Sequence, residues 1–256
     1  MKLIRILILA AFILPVLSIS AVLADETAKP IPTAQELYAL DPDPQVPMHS
    51  DPYIDPLLYL VNKENPLPYD YIPVLTELDL PHKPGIDTQS MIPEAAEALR
   101  RLFAAADQDG IELGIVSGYR SYSTQKAIHN KKVAQKGRAT AELTSAPPGK
   151  SEHQLGQAVD ISSKSINYRL NAIFANTEEG KWLYDHCAEY GFIIRYKKEW
   201  QSVTGYKTEP WHLRYVGREH ATLITKLDVP YEIYMQYLKL CWDARDHHIA
   251  GDKTES

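Results

Sequence analysis

Cysteine is scarce in this chain: Cys187 and Cys241 are the only two among 256 residues. Neither lies in a Cys-x-x-Cys pair or near a histidine at finger-like spacing, which excludes a structural zinc held by thiolates. In an oxidising compartment the two can join in one disulfide or remain buried free thiols, and the sequence leaves both open. Positive charge is also short, with 27 Lys and Arg against 33 Asp and Glu and a formal charge of -6. Such a chain has no electrostatic footprint for a phosphate backbone, so nucleic acid is excluded as a partner. Internal repeats are absent as well. What remains, 45% apolar and 23% charged residues, is the usage of an ordinary protein with a buried core.

The first residues carry an address. Lys2 and Arg5 form a basic start, Ile6 to Leu17 is an almost unbroken apolar run, and Val22 and Ala24 are spaced for signal-peptidase cleavage after Ala24. Cleavage removes only positive charge and leaves an exported chain more acidic than the whole. The competing reading is an uncleaved anchor, because the apolar stretch can be extended to Leu23, near the lower limit for spanning a bilayer. From Asp25 to Pro56 the chain is rich in Pro and acidic residues, as in Asp41-Pro42-Asp43-Pro44, and lacks apolar periodicity. An extended tether is expected there, with the packed domain beginning near Leu57.

Between Pro93 and Gly110, residues Ala95, Ala98, Leu99, Leu102, Phe103 and Ala106 recur on one helical face, which predicts a core helix. A short strand over Ile111–Val116 and a helix over Ser123–Lys136 closed by Gly137 follow. Ser145–Gly156 holds Pro147, Pro148 and two glycines and reads as loop. Strands are expected at Ala158–Ile161, Phe192–Tyr196 and Trp211–Val216, and helices at Glu178–Tyr190, Glu219–Lys226 and Tyr231–Ala244. Helices and short strands mix without βαβ alternation, so the fold class is α+β: one domain over 57–245, with a small, mainly antiparallel sheet and flanking helices. Residues 246–256 read as a flexible tail.

Three segments hold groups that a solvated surface does not need: Ser117-Gly118-Tyr119-Arg120-Ser121-Tyr122, the run Ser151-Glu152-His153-Gln154-Leu155-Gly156-Gln157-Ala158-Val159-Asp160, and Glu209-Pro210-Trp211-His212. His153, Asp160 and His212 offer two imidazoles and a carboxylate, a catalytic zinc set that leaves a fourth tetrahedral position for water. Glu209 can take the proton of that water as it attacks a carbonyl and pass it to the leaving amine. Pro210 forces Glu209 into extended backbone, so the pair belongs at a strand entrance. Residues three apart on a flat strand face opposite ways, and a bend at Pro210 is therefore expected. Gly156 and Ala158 are small where the chain must turn between ligands. Tyr119, Tyr122 and Trp211 line the substrate cleft or belong to the core, with nothing in the sequence to decide between them.

These segments resemble the zinc D-Ala-D-Ala carboxypeptidases of the VanY type, a family that includes related L,D-carboxypeptidases and D-Ala-D-Ala dipeptidases. The resemblance covers about Leu57 to Leu240. It implies His153, Asp160 and His212 as Zn2+ ligands, Glu209 as catalytic base, and Arg120 as support for the oxyanion or the substrate carboxylate. It further implies Gln125, Ser145 and Ser151 as residues that hold the substrate terminus. One departure is Pro147, where many relatives show Arg. The implied activity is removal of the terminal D-Ala from peptidoglycan stem peptides or muropeptides, with D,D-cleavage favoured and L,D-cleavage of tetrapeptide stems the alternative. A monomer in the periplasm or cell envelope is expected, touching the membrane only if the signal segment stays uncleaved.

Two rivals use the same substrate. Ser123-Thr124-Gln125-Lys126, Ser165-Ile166-Asn167 and Lys207-Thr208 fit the motifs of serine penicillin-binding enzymes, but Glu209 stands where the third motif needs Gly. A non-catalytic peptidoglycan-binding module with a structural zinc would need no general base beside His212.

Overall fold

The computed structural model describes residues 30–41, 47 and 51–252. The expected signal segment lies outside the described residues. In chain order the elements are α1 (Ala34–Leu40), β1 (Thr76–Glu77), β2 (Ser90–Met91), α2 (Pro93–Gln108), β3 (Gly114–Ser117), α3 (Tyr122–Lys136), α4 (Arg138–Glu142), β4 (Ala158–Ser162) and α5 (Glu178–His186), followed by β5 (Phe192–Tyr196), α6 (Gln201–Thr204), β6 (Glu209–Tyr215), α7 (Arg218–Leu227) and α8 (Tyr231–Asp252). A four-stranded antiparallel sheet runs in the order β3-β4-β6-β5, and β1 and β2 form a separate antiparallel pair. The fold is α+β, as the mixed elements of the sequence imply.

The sheet is buried on both faces. On β5, Phe192 and Ile194 join a core built with α2, while Ile193 joins a second core with α7 and α8. That double burial explains why β5 reads as an apolar run without alternation. Helix α2 begins with Pro93 at its first turn and buries Ala95, Ala98, Leu99, Leu102, Phe103 and Ala106, the face its periodicity predicts. Gly191 ends the helical stretch after Tyr190 in the left-handed region and turns the chain into β5.

Three expectations change. Within the segment expected to be extended, Ala34–Leu40 is a helix closed by a capping box in which the Thr33 side chain accepts from the Glu36 amide and Glu36 accepts from the Thr33 amide. Ala34 and Leu37 pack in the α7–α8 core, so packing starts well before Leu57. Helix α8 runs on to Asp252, through most of the segment expected as a tail. The 145–156 loop contains a 3-10 turn at Glu152–Leu155. Cys187 and Cys241 are free and buried in different cores, which rules out the disulfide alternative in this structure. No described helix is long and apolar enough to cross a membrane.

Candidate metal centre

Antiparallel register places Asp160 of β4 directly opposite His212 of β6, and cross-strand partners project from the same face. His153 comes from the 3-10 turn before β4. Gly156, at φ 71° and ψ 14°, reverses the chain there, and a Cβ at this position would meet Leu75 Cδ2 at 3.0 Å. A larger residue would therefore be both strained and crowded. The entrance of β6 is irregular: β5 pairs Ile194 with Leu213 and then Tyr196 with Glu209, so the Pro210 stretch bulges. That bulge is the expected bend, and it lets Glu209 and His212 line the same cleft.

The three side chains offer one ligand atom each, all within 4.8 Å of one another, and all three residues are buried. Asp160 Oδ1 lies 3.3 Å from His153 Nε2 and 3.1 Å from His212 Nδ1. Ligand bonds of about 2.0–2.1 Å at the tetrahedral angle put ligand atoms about 3.3 Å apart, so these separations fit a single small ion. His153 Nδ1 donates to the Gly118 carbonyl at 2.7 Å, which turns the lone pair of Nε2 inward. That buried Nε2 has no hydrogen-bond partner, the condition of a ligand atom facing its ion. His212 Nε2 donates to Glu152 Oε2 at 3.2 Å, leaving Nδ1 as its ligand atom. The donor set fits a divalent metal.

The charges around this point are strongly coupled. Burial and the Arg120 cation lower His153 to about 4, so it stands neutral. Burial also works against a charged His212, but its bonds to Asp160 and Glu152 overcome that and raise it to about 9. Burial would raise Asp160, yet His153, His212 and Arg120 hold it well below the carboxylate range. Burial raises half-buried Glu209 to about 7, with His212 acting in the opposite direction. A carboxylate poised near neutrality suits proton transfer.

Arg120 is fixed from three sides. Its Nη1 donates to Ser117 Oγ at 2.8 Å and Asp160 Oδ2 at 3.2 Å, and its Nε donates to Gln125 Oε1 at 3.0 Å. Gln125 in turn donates to the Ala146 carbonyl at 2.6 Å. The implied residues all line one cleft of about 200 Å3, namely Arg120, Gln125, Ser145, Ser151, His153, Asp160, Glu209 and His212. Trp211 lines it too, whereas Tyr119 and Tyr122 do not. Of the serine-enzyme motif residues only Gln125 reaches the cleft, and Ser123, Ser165 and Lys207 are exposed elsewhere.

The sequence reading missed the support behind His212. Glu152 Oε1 accepts from Arg195 Nε at 2.8 Å and from Arg214 Nη1 at 3.0 Å. The Arg195 guanidinium also meets Glu232 of α8 through both terminal nitrogens, at 3.0 and 2.5 Å. Both arginines and Glu152 are fully buried. Burial would raise Glu152, but the two guanidiniums keep it ionised. A charged Arg inside an apolar strand such as Phe192-Ile193-Ile194-Arg195-Tyr196 was the available signal.

Two imidazoles and a carboxylate around one point, with an ionisable Glu beside them in an open cleft, define a metal-dependent hydrolase. The sequence matches the family VanY, D-alanyl-D-alanine carboxypeptidase, over residues 88–218. The chain belongs to this family and is a metallopeptidase. It is 45% identical over 186 residues to YodJ of Bacillus subtilis, assigned provisionally as a carboxypeptidase, covering 72% of this chain and 68% of that one. Among solved structures it is similar to the LdcB LD-carboxypeptidase, with TM-score 0.67, 44% identity, and 72% and 88% of the two chains covered. It is also similar to the vancomycin resistance D,D-pentapeptidase VanY in complex with Zn(II), with TM-score 0.60, 37% identity, and 70% and 99% covered.

Proposed function

We propose that this protein is a zinc carboxypeptidase that removes the terminal D-Ala from peptidoglycan stem peptides. The observation that carries the reading is the His153, Asp160 and His212 cluster with Glu209 on the same cleft wall. The Zn(II) complex of the similar VanY structure supports zinc as the ion. When bound, zinc supplies a Lewis acid that acidifies a water molecule and polarises the scissile carbonyl.

The remaining steps belong to the chain. Glu209 accepts the proton of the attacking water and returns it to the leaving amine. Asp160 and Gln125 hold the Arg120 guanidinium so that its Nη2 edge, which enters none of the bonds above, is left to face the developing oxyanion. Ser145 and Ser151 line the cleft where the peptide terminus would lie. A module that only binds peptidoglycan would gain nothing from a base at Glu209.

D,D-cleavage of pentapeptide stems follows the family description. L,D-cleavage of tetrapeptide stems is the second reading, favoured by the 44% identity to LdcB against 37% to VanY. The same reading makes the protein a monomer exported to the periplasm or cell envelope, with the catalytic domain following a signal segment and a linking region.

Digestion of purified pentapeptide and tetrapeptide muropeptides by the zinc-loaded full chain, with mass analysis of the products, tests the proposal. Loss of a single alanine is expected, and the stem that loses it assigns the bond. Release of a dipeptide, or intact stems, would contradict it.

A further inference from the structure

A carboxypeptidase must recognise an anion one residue beyond the bond it cuts, and one residue spans about 3.8 Å. A cation that recognises it would therefore stand on the wall of the catalytic cleft. Among the cleft-lining residues two are permanent or near-permanent cations, Arg120 and Lys132. Three of the donor directions of Arg120 are already committed to Ser117, Asp160 and Gln125.

Lys132 is differently placed. Gln125, Ile128 and Lys132 of α3 all line the cleft, and their spacing of three and then four residues puts them on one helical stripe. The other lysines of that helix, Lys126, Lys131 and Lys136, are exposed, whereas Lys132 is half-buried. Its ammonium donates to the Thr144 carbonyl at 3.1 Å. An ammonium carries three donors, so two remain for a ligand. Burial draws Lys132 below the usual lysine range, while the field of Glu209 pulls it up and those of Lys136 and Arg120 push it down. Glu209 and Arg120 line the same cleft as Lys132.

We infer that Lys132 binds the terminal carboxylate of the substrate and so selects peptides with a free C-terminus, an inference that rests on the carboxypeptidase reading above. The carbonyl of Thr144 aims the ammonium, Ile128 offers an apolar rim, and the lysine charge offsets the repulsion between a substrate carboxylate and Glu209. No metal contact is involved.

The test compares wild type, Lys132→Met and Lys132→Arg as zinc-loaded full chains on acylated stem peptides, one with lysine and one with diaminopimelate, ending in free D-Ala and on the same peptides as their C-terminal amides. Zinc content and Tm are measured on each sample. Loss of a charged hydrogen bond should raise KM of Lys132→Met for the free acid by about tenfold to a hundredfold. Its kcat should change little, its zinc content should stay constant, and Lys132→Arg should recover most of the loss. On the amide all three enzymes should be equally poor. An unchanged KM for the free acid, or an equal loss on acid and amide, would overturn the inference while leaving the carboxypeptidase reading intact. A loss confined to stems with diaminopimelate, sparing those with lysine, would also overturn it, because Lys132 would then read a side-chain carboxylate. Absence of turnover by zinc-loaded wild type on every such peptide would overturn the reading beneath it, and this contact with it.

Discussion

Arg120 shows how one side chain serves several neighbours: it holds Asp160 in line, rests on Ser117 and is fixed by Gln125. A lysine there could keep the charge but not the planar fork. Arg120→Lys should lower kcat/KM on a stem peptide by about a hundredfold, the scale of one lost oxyanion donor, with zinc content unchanged. Parental kinetics in that variant would make Arg120 a structural residue. The cysteines allow an independent test of the fold. Burial pushes the Cys187 thiol up to about 12 and the Cys241 thiol to about 11, so at pH 8 both are protonated and sheltered. Native protein should react with neither thiol under a disulfide-exchange reagent, and denatured protein should release both. A silent denatured sample would mean a disulfide. At this scale the ligands were legible because imidazole, carboxylate and spacing name them. Glu152 was not, since its role depends on two arginines distant in sequence.

At the scale of elements, the metal site is a property of β4 and β6 in register, and its rigidity comes from a buried chain of charges crossing β5 to α8. Glu232 holds Arg195, Arg195 and Arg214 hold Glu152, and Glu152 holds His212. Glu152→Gln removes the anion between two buried guanidiniums, and breaking such a network costs about 3–5 kcal/mol. A lost partner behind a ligating histidine lowers metal affinity about tenfold to a hundredfold. Calorimetric Tm and competition for zinc against a chromophoric chelator should therefore fall together. Unchanged zinc affinity would show that Glu152 serves packing alone. The helix α2, strand β5 and the bend at Pro210 were legible because local periodicity or proline geometry dictates them. Helix α1 was hidden: Thr33-x-x-Glu36 is a capping box in plain view, but a helix this short forms only where a partner covers it, and that partner is α8.

For the whole molecule, α1 docks on α8 and none of the residues lining the metal cleft lies on α1, so loosening that short helix alone should leave the chemistry intact. Leu37→Ala, at a residue 8% exposed, should cost about 1–2 kcal/mol, because a short helix that detaches limits the loss to its own docking energy. Hydrogen exchange should quicken in α1 with kcat unaltered, and exchange that stays slow there would show that Leu37 does not hold the helix down. The opposite separation tests the mechanism most directly. Glu209→Gln keeps size and removes the basic lone pair, while His153, Asp160 and His212 are untouched. Zinc stoichiometry and stem-peptide turnover, measured on the same Glu209→Gln sample, should show wild-type zinc and turnover lowered by at least about a hundredfold. Full turnover with zinc bound would contradict Glu209 as the base, and lost zinc would make it a ligand.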